Sequence, residues 1–391
     1  MIDGLRFLAI LPVVLQHLAE RALRVAENKH LTTTSDYALM NLFSTSRLGV
    51  ELFFAISGLI ISYPFIRARF QDQRTPSVRN FYLRRVTRLE PPYFLVMIGC
   101  YLFLRFTGFN PEATNSFATQ SISLETSLAT SLVYMHGILL GGFPKLNPPA
   151  WSLEIEIQFY LVAPIVILAV LRLRLYGIIL GILTLIAGSI LASHLSFGLW
   201  HAVPLIDFFH LFLAGIFVNV FILGSLVPQR VPLVVWDMGF IVAIAVLYLL
   251  SRYHTSMLTD AAQVACYLIL FLAAFKGKIF KRFLSLPYIF TIGGMCYTIY
   301  LIHLPILQVF TGMVMRTTGF TSFVPGVLIN AVVTLPFLLA ASVAFFLLVE
   351  KPCMNPKWPF LVGNSIASRV VQMKSVMAPR HSRKGRSGNP V

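Results

Sequence analysis

Charged residues are scarce in this sequence. Only 12% of its 391 residues are Asp, Glu, Lys or Arg, whereas 57% are hydrophobic, and the mean hydropathy is +0.78. Apolar runs long enough to cross a bilayer recur along the whole chain, which excludes a soluble globular protein. The runs lack the alternation of apolar and polar residues that barrel strands show, so helices are expected. The composition therefore predicts an all-α, multi-pass integral membrane protein.

Cysteine is scarce as well, and its positions exclude two further kinds of site. The cysteines are scattered and form no CxxC pair: Cys100, Cys266, Cys296 and Cys353. This pattern predicts neither a disulfide framework nor a metal site. The first apolar run lacks a clear basic segment ahead of it and contains Pro12, Gln16 and His17. We therefore expect a helix of the mature protein and not a signal peptide.

Acidic residues number 15 against 31 lysines and arginines, which gives a net charge of +16. In a membrane protein such an excess first reports topology and not nucleic-acid binding. Hydropathy predicts ten spans, at residues 5–19, 48–66, 90–106, 151–171, 175–193, 205–223, 233–251, 261–275, 288–310 and 324–348. With a cytoplasmic N-terminus, the outer side receives eight of the 31 basic residues and the cytoplasmic side the other 23. This asymmetry predicts that both termini are cytoplasmic.

The span pattern predicts one transmembrane domain over residues 1–352, followed by a tail over residues 353–391. The tail is basic and rich in serine and glycine, so we expect it to be disordered and attracted to anionic lipid. Two long outer loops, 20–47 and 107–150, suit the binding of a molecule outside the membrane, although they could be simple connections. Residues 122–136 could form a helix that lies on the surface.

The first apolar run carries an arginine and a histidine at a helical spacing. Arg6 and His17 are 11 residues apart, close to three turns, so they share one helix face about 16 Å apart along the axis. Ionisable residues within a membrane helix usually face protein or water, and by default they mark a functional site. The alternative is that Arg6 anchors the helix at the cytoplasmic face and a neighbouring helix satisfies His17.

The predicted cytoplasmic loop between spans two and three is the densest basic patch, and its basic residues are all arginines. They are Arg67, Arg69, Arg74, Arg79, Arg84, Arg85 and Arg88. Lysine would serve a topology signal equally well, whereas the guanidinium fork suits bidentate contacts with phosphate. We expect this patch to bind a phosphate-rich cytoplasmic donor; the alternative is a basic loop on anionic lipid.

Polar residues recur towards the outer half of five predicted spans. They are His17, Glu51, the Trp151–Tyr160 segment with Glu154 and Glu156, Asp207 with His210, and Tyr300 with His303. Within a membrane such residues face a cavity or one another, and a histidine beside a carboxylate forms an acid–base pair. We therefore expect a buried polar site in which His17 is the general base and Glu156 or Glu51 orients it.

Phosphates held at the cytoplasmic face would lie far from a site in the outer half, so a bridging donor must be long and thin. Coenzyme A has this shape, because its phosphorylated head carries a slender arm that ends in a thioester. Arg85 and Arg88, helped by Arg6, would bind its phosphates. His17 would take the proton of an acceptor hydroxyl as it attacks the thioester. A proton-coupled exporter of a glycan or glycolipid fits the spans and the buried histidines equally well, but it does not require the arginine patch.

Five motifs stand in the order typical of one family. They are Asp3-Gly4-Leu5-Arg6 with His17, Gly49–Gly58, Arg84–Tyr93, Trp151–Glu156 with Phe159-Tyr160, and Tyr297–His303. On these motifs the chain resembles, over about residues 1–352, the membrane-bound acyltransferase-3 family, which O-acylates bacterial carbohydrates. One departure is Glu90, which stands where relatives more often have an apolar residue before proline.

The resemblance implies an O-acyltransferase of the bacterial inner membrane that moves an acyl group, usually acetyl, from cytoplasmic acyl-CoA to a hydroxyl of a carbohydrate or lipid-linked glycan outside. Arg6, His17, Arg85, Arg88 and Glu156 fall on motif positions of the family. We expect Arg6, Arg85 and Arg88 to bind the donor, and His17, Glu156 and Glu51 to be catalytic. We expect acceptor contacts from Trp151, Ser152, Tyr160, Tyr300 and His303. No metal and no nucleic acid is expected. Many relatives append an extracytoplasmic esterase-like domain; this chain resembles the stand-alone members, and a separate partner could complete the transfer. The acceptor stays open among lipopolysaccharide O-antigen, exopolysaccharide, lipo-oligosaccharide, peptidoglycan and a secondary metabolite.

Overall fold

The molecule is a bundle of membrane-length helices. The computed structural model describes residues 1–109, 122–195, 205–252, 256–355 and 358. In chain order its helices are α1 (Ile2–Glu27), α2 (Thr34–Phe43), α3 (Ser46–Phe70), α4 (Val78–Thr107), α5 (Leu124–Leu132), α6 (His136–Leu140), α7 (Trp151–Leu171), α8 (Leu175–Leu195), α9 (Leu205–Leu223), α10 (Leu233–Leu250), α11 (Met257–Lys276), α12 (Ile279–Leu284), α13 (Pro287–Gly294), α14 (Cys296–Thr318) and α15 (Phe323–Phe345).

Ten of these helices are long and apolar enough to cross a membrane: α1, α3, α4, α7, α8, α9, α10, α11, α14 and α15. Throughout the described ranges no residue forms a strand. The predicted all-α, ten-span fold class is therefore confirmed. The side of the membrane on which each terminus lies stays a prediction. The predicted disordered tail lies outside the described residues, apart from Cys353, Met354, Asn355 and Trp358.

The arginine patch is mostly helical and not a loop, which corrects the sequence-based prediction. Arg67 and Arg69 lie in the last turn of α3, and α4 begins at Val78, 12 residues ahead of the predicted span. Only Arg74 lies in the connection between the two helices. Hydropathy detects the apolar part of a helix alone, so a polar helical extension beyond the membrane core escapes it. The same effect lets α1 continue to Glu27, beyond the predicted end at residue 19.

The predicted ninth span is divided into two helices, α13 and α14. The division follows Gly293, where an added Cβ would collide with the backbone carbonyl of Asp3 in α1. Helix α13 therefore packs against the start of α1 at backbone contact, and α14 begins two residues after α13 ends. The predicted surface helix over 122–136 is likewise two short helices, α5 and α6. They are separated at Tyr134, whose φ is +56°.

Tyr134 accounts for the unusual Glu90. The Tyr134 hydroxyl donates to Glu90 Oε2 at 2.9 Å, and its ring stacks on that of Tyr93 with centroids 4.6 Å apart. The hydroxyl of Tyr93 in turn donates to the Ser131 carbonyl at 2.9 Å. The α5–α6 segment is therefore fastened to α4 through side chains that the Glu90 carboxylate helps to position.

Helices α3 and α9 pack at backbone contact, because glycine allows their backbones to touch. A Cβ on Gly215 would collide with the carbonyl of Ala55, and a Cβ on Gly58 would collide with the carbonyl of Phe212. Small residues serve this purpose in membrane helices, where packing drives association. Asn219 adds a polar link, because its amide donates to the Ser62 hydroxyl at 2.8 Å.

The backbone contact between α3 and α9 predicts that one methyl group added at Gly215 lowers the stability of the protein. Gly215→Ala should separate the two helices and destabilise the protein by roughly 1–3 kcal/mol, because the clashing atoms belong to the backbone and cannot rotate away. Thermal unfolding in detergent should show a midpoint several degrees below that of the native protein. The matched control is Gly188→Ala in α8, where an added Cβ meets no atom within 4 Å. Equal midpoints for the two variants would contradict the proposed backbone contact.

Outside the spans, His136 at the start of α6 is buried. It is 1% exposed, and neither ring nitrogen has a hydrogen-bond partner among the described residues. Burial lowers the pKa of His136 to about 4, because a charged imidazolium would lose its hydration there. The next residue, Gly137, donates its backbone N–H to Glu154 Oε2 at 2.9 Å, and this hydrogen bond connects α6 to α7.

Because His136 is buried, we predict that the stability of the protein falls at acidic pH. The pKa of His136 in the folded state lies below the ordinary value of about 6.5. The neutral imidazole of His136 therefore stabilises the fold fully above pH 6.5, and this stabilisation is lost as the pH falls from about 6.5 towards 4. The loss should reach about 3 kcal/mol near pH 4. Thermal midpoints measured between those pH values should fall less steeply in His136→Asn than in the native protein. Replacing the exposed His30 by Asn should leave the slope unchanged; a slope that His136→Asn does not reduce would refute the assignment.

Candidate functional site

Two cavities follow one another along the same helices. The larger, which we name the His17 cavity, has a volume of about 580 Å³ and is lined on α1 by Val13, Gln16, His17 and Glu20. The smaller, which we name the Arg6 cavity, has a volume of about 130 Å³. Along α1 the nearest lining residues, Arg6 and Val13, are about two turns or 10 Å apart, and Arg6 and His17 are about three turns or 16 Å apart. Helices α3 and α7 also line both cavities in succession.

Tyr300 of α14 lines both cavities and lies at their boundary. Its hydroxyl is 2.6 Å from Ser152 Oγ and donates to the Pro149 carbonyl at 2.8 Å. The Phe53 ring meets the Tyr300 ring edge-on with centroids 6.0 Å apart. The boundary between the cavities therefore includes an aromatic side chain held by hydrogen bonds that rotation would break.

The His17 ring pairs with the imidazole of His303. His303 Nε2 lies 3.2 Å from His17 Nδ1, and His303 Nδ1 lies 2.7 Å from the Tyr300 carbonyl and 3.1 Å from the Ile299 carbonyl. A carbonyl oxygen can only accept, so His303 Nδ1 carries the proton and its Nε2 is an acceptor in the neutral ring. His17 Nδ1 then donates to it, which leaves His17 Nε2 unprotonated.

No carboxylate takes the predicted place beside His17 among the described residues. Glu51 accepts from Arg47 Nε at 2.8 Å and from Gln263 Nε2 at 3.4 Å. Glu156 lines the Arg6 cavity and accepts from Ser57 and from Tyr160, each at 2.5 Å. Helix α7 runs past both cavities, so that Trp151 lines the His17 cavity and Glu156 the Arg6 cavity, whereas Glu51 shares the His17 cavity with the imidazole. That Glu51 or Glu156 orients His17 or stabilises its imidazolium stays a prediction.

The predicted acceptor contacts divide in the same way. Trp151 lines the His17 cavity, Ser152 and Tyr160 line the Arg6 cavity, and Tyr300 lines both. His303 is fully buried behind His17 and cannot contact an acceptor in the present arrangement. Its two ring nitrogens are instead occupied by backbone carbonyls and by His17.

The structure brings the predicted donor-binding arginines together at the Arg6 cavity. Arg6 Nη1 pairs with Asp3 at 2.8 Å. The Arg85 guanidinium lies 4.4 Å from the Phe81 ring centroid and 5.2 Å from that of Tyr160, an arrangement typical of a cation–π contact. Arg88 Nη2 approaches Glu350 at 3.5 Å.

Unused donors remain on two of these arginines. The Nε atoms of Arg85 and Arg88 are buried without a hydrogen-bond partner among the described residues. A buried donor left unpaired is costly, and an anion such as phosphate would supply acceptors for the guanidinium groups. Glu350 is itself occupied, because Thr298 Oγ1 donates to it at 2.6 Å. The arrangement suits an anionic group that binds beside the N-terminal third of α4.

Sequence reasoning missed several lining residues of the His17 cavity. They are Gln16, Glu20, Arg47, His194, Asp260 and Gln263. His194 Nε2 lies 2.9 Å from Asp260 Oδ2, so α8 and α11 contribute a histidine–carboxylate contact. Asp260 stands one residue before a predicted span, and the rule that selected Asp207, an ionisable residue at the start of an apolar run, would have selected it too.

A family model described as an acyltransferase domain matches residues 1–351. The chain belongs to the acyltransferase-3 family. It is a multi-pass membrane member of that family, with its ten apolar helices inside the matched region. The motif-based resemblance is therefore confirmed at the level of the family.

Two relatives show how far the similarity extends. O-acetyltransferase OatA of Staphylococcus aureus (strain NCTC 8325 / PS 47) is 25% identical over 328 residues, which are 78% of this chain and 50% of that protein. Peptidoglycan O-acetyltransferase OatA of Listeria monocytogenes is 25% identical over 177 residues, which are 44% of this chain and 24% of that protein. The matched part of this chain thus spans at most half of the length of these relatives. No solved structure matches the chain.

Proposed function

We propose that this protein transfers an acyl group, most readily acetyl, from acyl-CoA bound at the Arg6 cavity to a carbohydrate hydroxyl bound in the His17 cavity. In this proposal the arginine-rich ends of α3 and α4 face the cytoplasm of a bacterial inner membrane, and the His17 cavity faces the other side. The names of the relatives support acetyl as the transferred group and a glycan as the acceptor. The basic excess on the Arg6 side supports the orientation.

The observation that carries the proposal is the succession of the two cavities along α1. The Arg6 cavity holds arginines with unused donors. The His17 cavity holds an imidazole whose Nε2 is unprotonated, because its Nδ1 donates to His303. A donor with a phosphorylated head and a slender arm matches this spacing. An acceptor hydroxyl in the His17 cavity would then meet the end of that arm at the Tyr300 boundary.

The chemistry needs a base, an acceptor hydroxyl and a thioester. His17 Nε2 takes the hydroxyl proton while the oxygen attacks the thioester carbonyl, which forms the new C–O bond. The carbon–sulfur bond then breaks, and the imidazolium returns its proton to the departing sulfur, so that coenzyme A leaves as the thiol. His303 holds the His17 ring in the required tautomer through its Nε2. Glu156 acts at a distance by fixing Tyr160, whose ring supports Arg85.

The pairing of the two histidines predicts a graded response at position 303. His17→Ala should reduce transfer at least about 100-fold, the usual contribution of a general base. His303→Leu should reduce kcat roughly tenfold or more because the His17 tautomer is no longer fixed, whereas His303→Gln, which offers an acceptor oxygen, should restore much of it. The measurement is labelled acetyl transfer from acetyl-CoA in membranes that carry each variant.

The control for that experiment is His30→Asn, since His30 is exposed and remote from both cavities. Comparable activity in His303→Leu and His303→Gln would remove the assignment of His303 as the residue that orients His17. Full activity of His17→Ala would contradict the assignment of His17 as the general base.

The Arg6 cavity predicts a donor-specific defect. Arg85→Glu should raise the KM for acetyl-CoA at least about tenfold and leave the preference among acceptors unchanged, because it opposes the phosphates of the donor alone. Arg85→Lys should show a smaller rise, since it keeps the charge but loses the fork. Arg172→Glu is the matched control, because Arg172 is an exposed arginine outside the arginine patch and lines neither cavity. Absence of coenzyme A binding by the purified native protein would contradict donor docking and favour a glycan exporter.

A further inference from the structure

The part of the His17 cavity formed by α3, α8, α9 and α11 is rich in carboxylates and imidazoles. We name it the acidic wall, and its members are Glu51, His194, Asp207, His210, Asp260 and Gln263. The general-base chemistry at His17 uses none of them. They lie on helices other than α1 and α14, so the wall is a separate part of the same cavity.

Most groups of the acidic wall already have partners within the protein. Glu51 is paired with Arg47 at 2.8 Å, and Asp260 is paired with His194 at 2.9 Å. Two members of α9 differ. His210 is 2% exposed, and both of its ring nitrogens lack a hydrogen-bond partner among the described residues. Asp207, one turn earlier, is half-buried and belongs to none of the ion pairs between described residues, although the charges of His194, Arg47 and Asp260 act on it.

An unpartnered imidazole and a carboxylate on one face of a membrane helix point to a ligand. Burying polar groups without partners is costly, and residues three apart on a helix lie side by side. Within the described part of the chain, no group of three or more His, Cys, Asp or Glu side chains could hold a metal ion. Vicinal hydroxyl groups would serve both residues, because a hydroxyl donates to a carboxylate and either donates to or accepts from a neutral imidazole.

The charge of the cavity restricts the ligand further. Its lining includes the carboxylates of Glu20, Glu51, Asp207 and Asp260 against the single guanidinium of Arg47. A ligand with its own carboxylate would meet like charges in this cavity, which disfavours its binding. Trp151 and Phe208, with ring centroids 5.7 Å apart, supply an apolar surface of the kind that lines small-molecule sites.

We propose that Asp207 and His210 form the subsite that holds the acceptor sugar, and that this subsite accepts neutral or amine-bearing sugar units and rejects those that carry a carboxylate. The inference rests on the proposed function in one respect, the identity of the His17 cavity as the acceptor side. It goes further by assigning two residues of α9 to acceptor recognition and by naming the charge class of the acceptor.

Binding of three matched sugars to the purified full-length protein tests this subsite without any transfer reaction. The probes are methyl glucoside, its 2-amino counterpart and its uronate, which differ in one substituent each. Thermal stabilisation in detergent should rank the amine first, the neutral sugar second and the uronate last. Asp207→Asn should reduce the preference for the amine over the uronate about tenfold, because one opposing charge is lost. His210→Gln should weaken binding of all three probes.

Glu125→Gln is the matched control, because Glu125 is an exposed carboxylate outside the cavity and its loss should leave the ranking unchanged. Equal stabilisation of the native protein by uronate and amine, a ranking that Asp207→Asn leaves intact, or no stabilisation by any probe would overturn the subsite. Coenzyme A binding and acetyl transfer are measured separately. If they persist while the ranking fails, the subsite alone is wrong; if the ranking holds without donor binding, the proposed transfer is wrong and the subsite stands.

Discussion

Lipid cannot solvate the polar face of α1, and the bundle is arranged around the need to enclose that face with protein. An arginine and a histidine within one apolar helix are stable only where neighbouring helices or water surround them. Glycines allow that enclosure at backbone distance: a Cβ on Gly49 of α3 would collide with the carbonyl of Ala9, and one on Gly293 of α13 with that of Asp3. Where long polar side chains project instead of glycines, the helices stand apart and leave the two cavities.

The same constraint explains why an imidazole and not a carboxylate faces His17. A buried carboxylate carries a desolvation cost that its attraction to a histidine need not offset. Two neutral rings avoid this cost, and the backbone carbonyls of Ile299 and Tyr300 still fix the tautomer. Two of the carboxylates that the site does contain have partners nearby: Arg47 forms an ion pair with Glu51, and two hydroxyl groups donate to Glu156.

Features that depend on one helix at a time could be predicted from the sequence. The ten apolar runs and the placement of Arg6 and His17 on one helix face both follow from helix geometry and bilayer thickness. Features that depend on the relation between helices could not. The depth of Glu156 depends on how α7 crosses the bundle, and the partner of His17 is 286 residues away on α14. The helical form of the arginine patch was missed because hydropathy does not register polar turns, although Ser77 accepts from the Asn80 N–H at 3.5 Å as an N-cap residue does.

The two cavities differ in charge, and this difference bears on how a donor could cross the membrane core without an open channel. Guanidinium groups outnumber carboxylates in the lining of the Arg6 cavity, which includes Arg6, Arg85, Arg88 and Glu156, with Asp3 and Glu350 paired to Arg6 and Arg88 from outside that lining. Carboxylates dominate the lining of the His17 cavity. Under the proposed function the phosphorylated head of the donor is held at the first cavity and repelled from the second. The thioester arm carries no charge, so only that part of the donor can reach the Tyr300 boundary at little electrostatic cost. Charge segregation along α1 would thus give the transfer its direction, because the reactive end is the only part of the donor that both cavities tolerate.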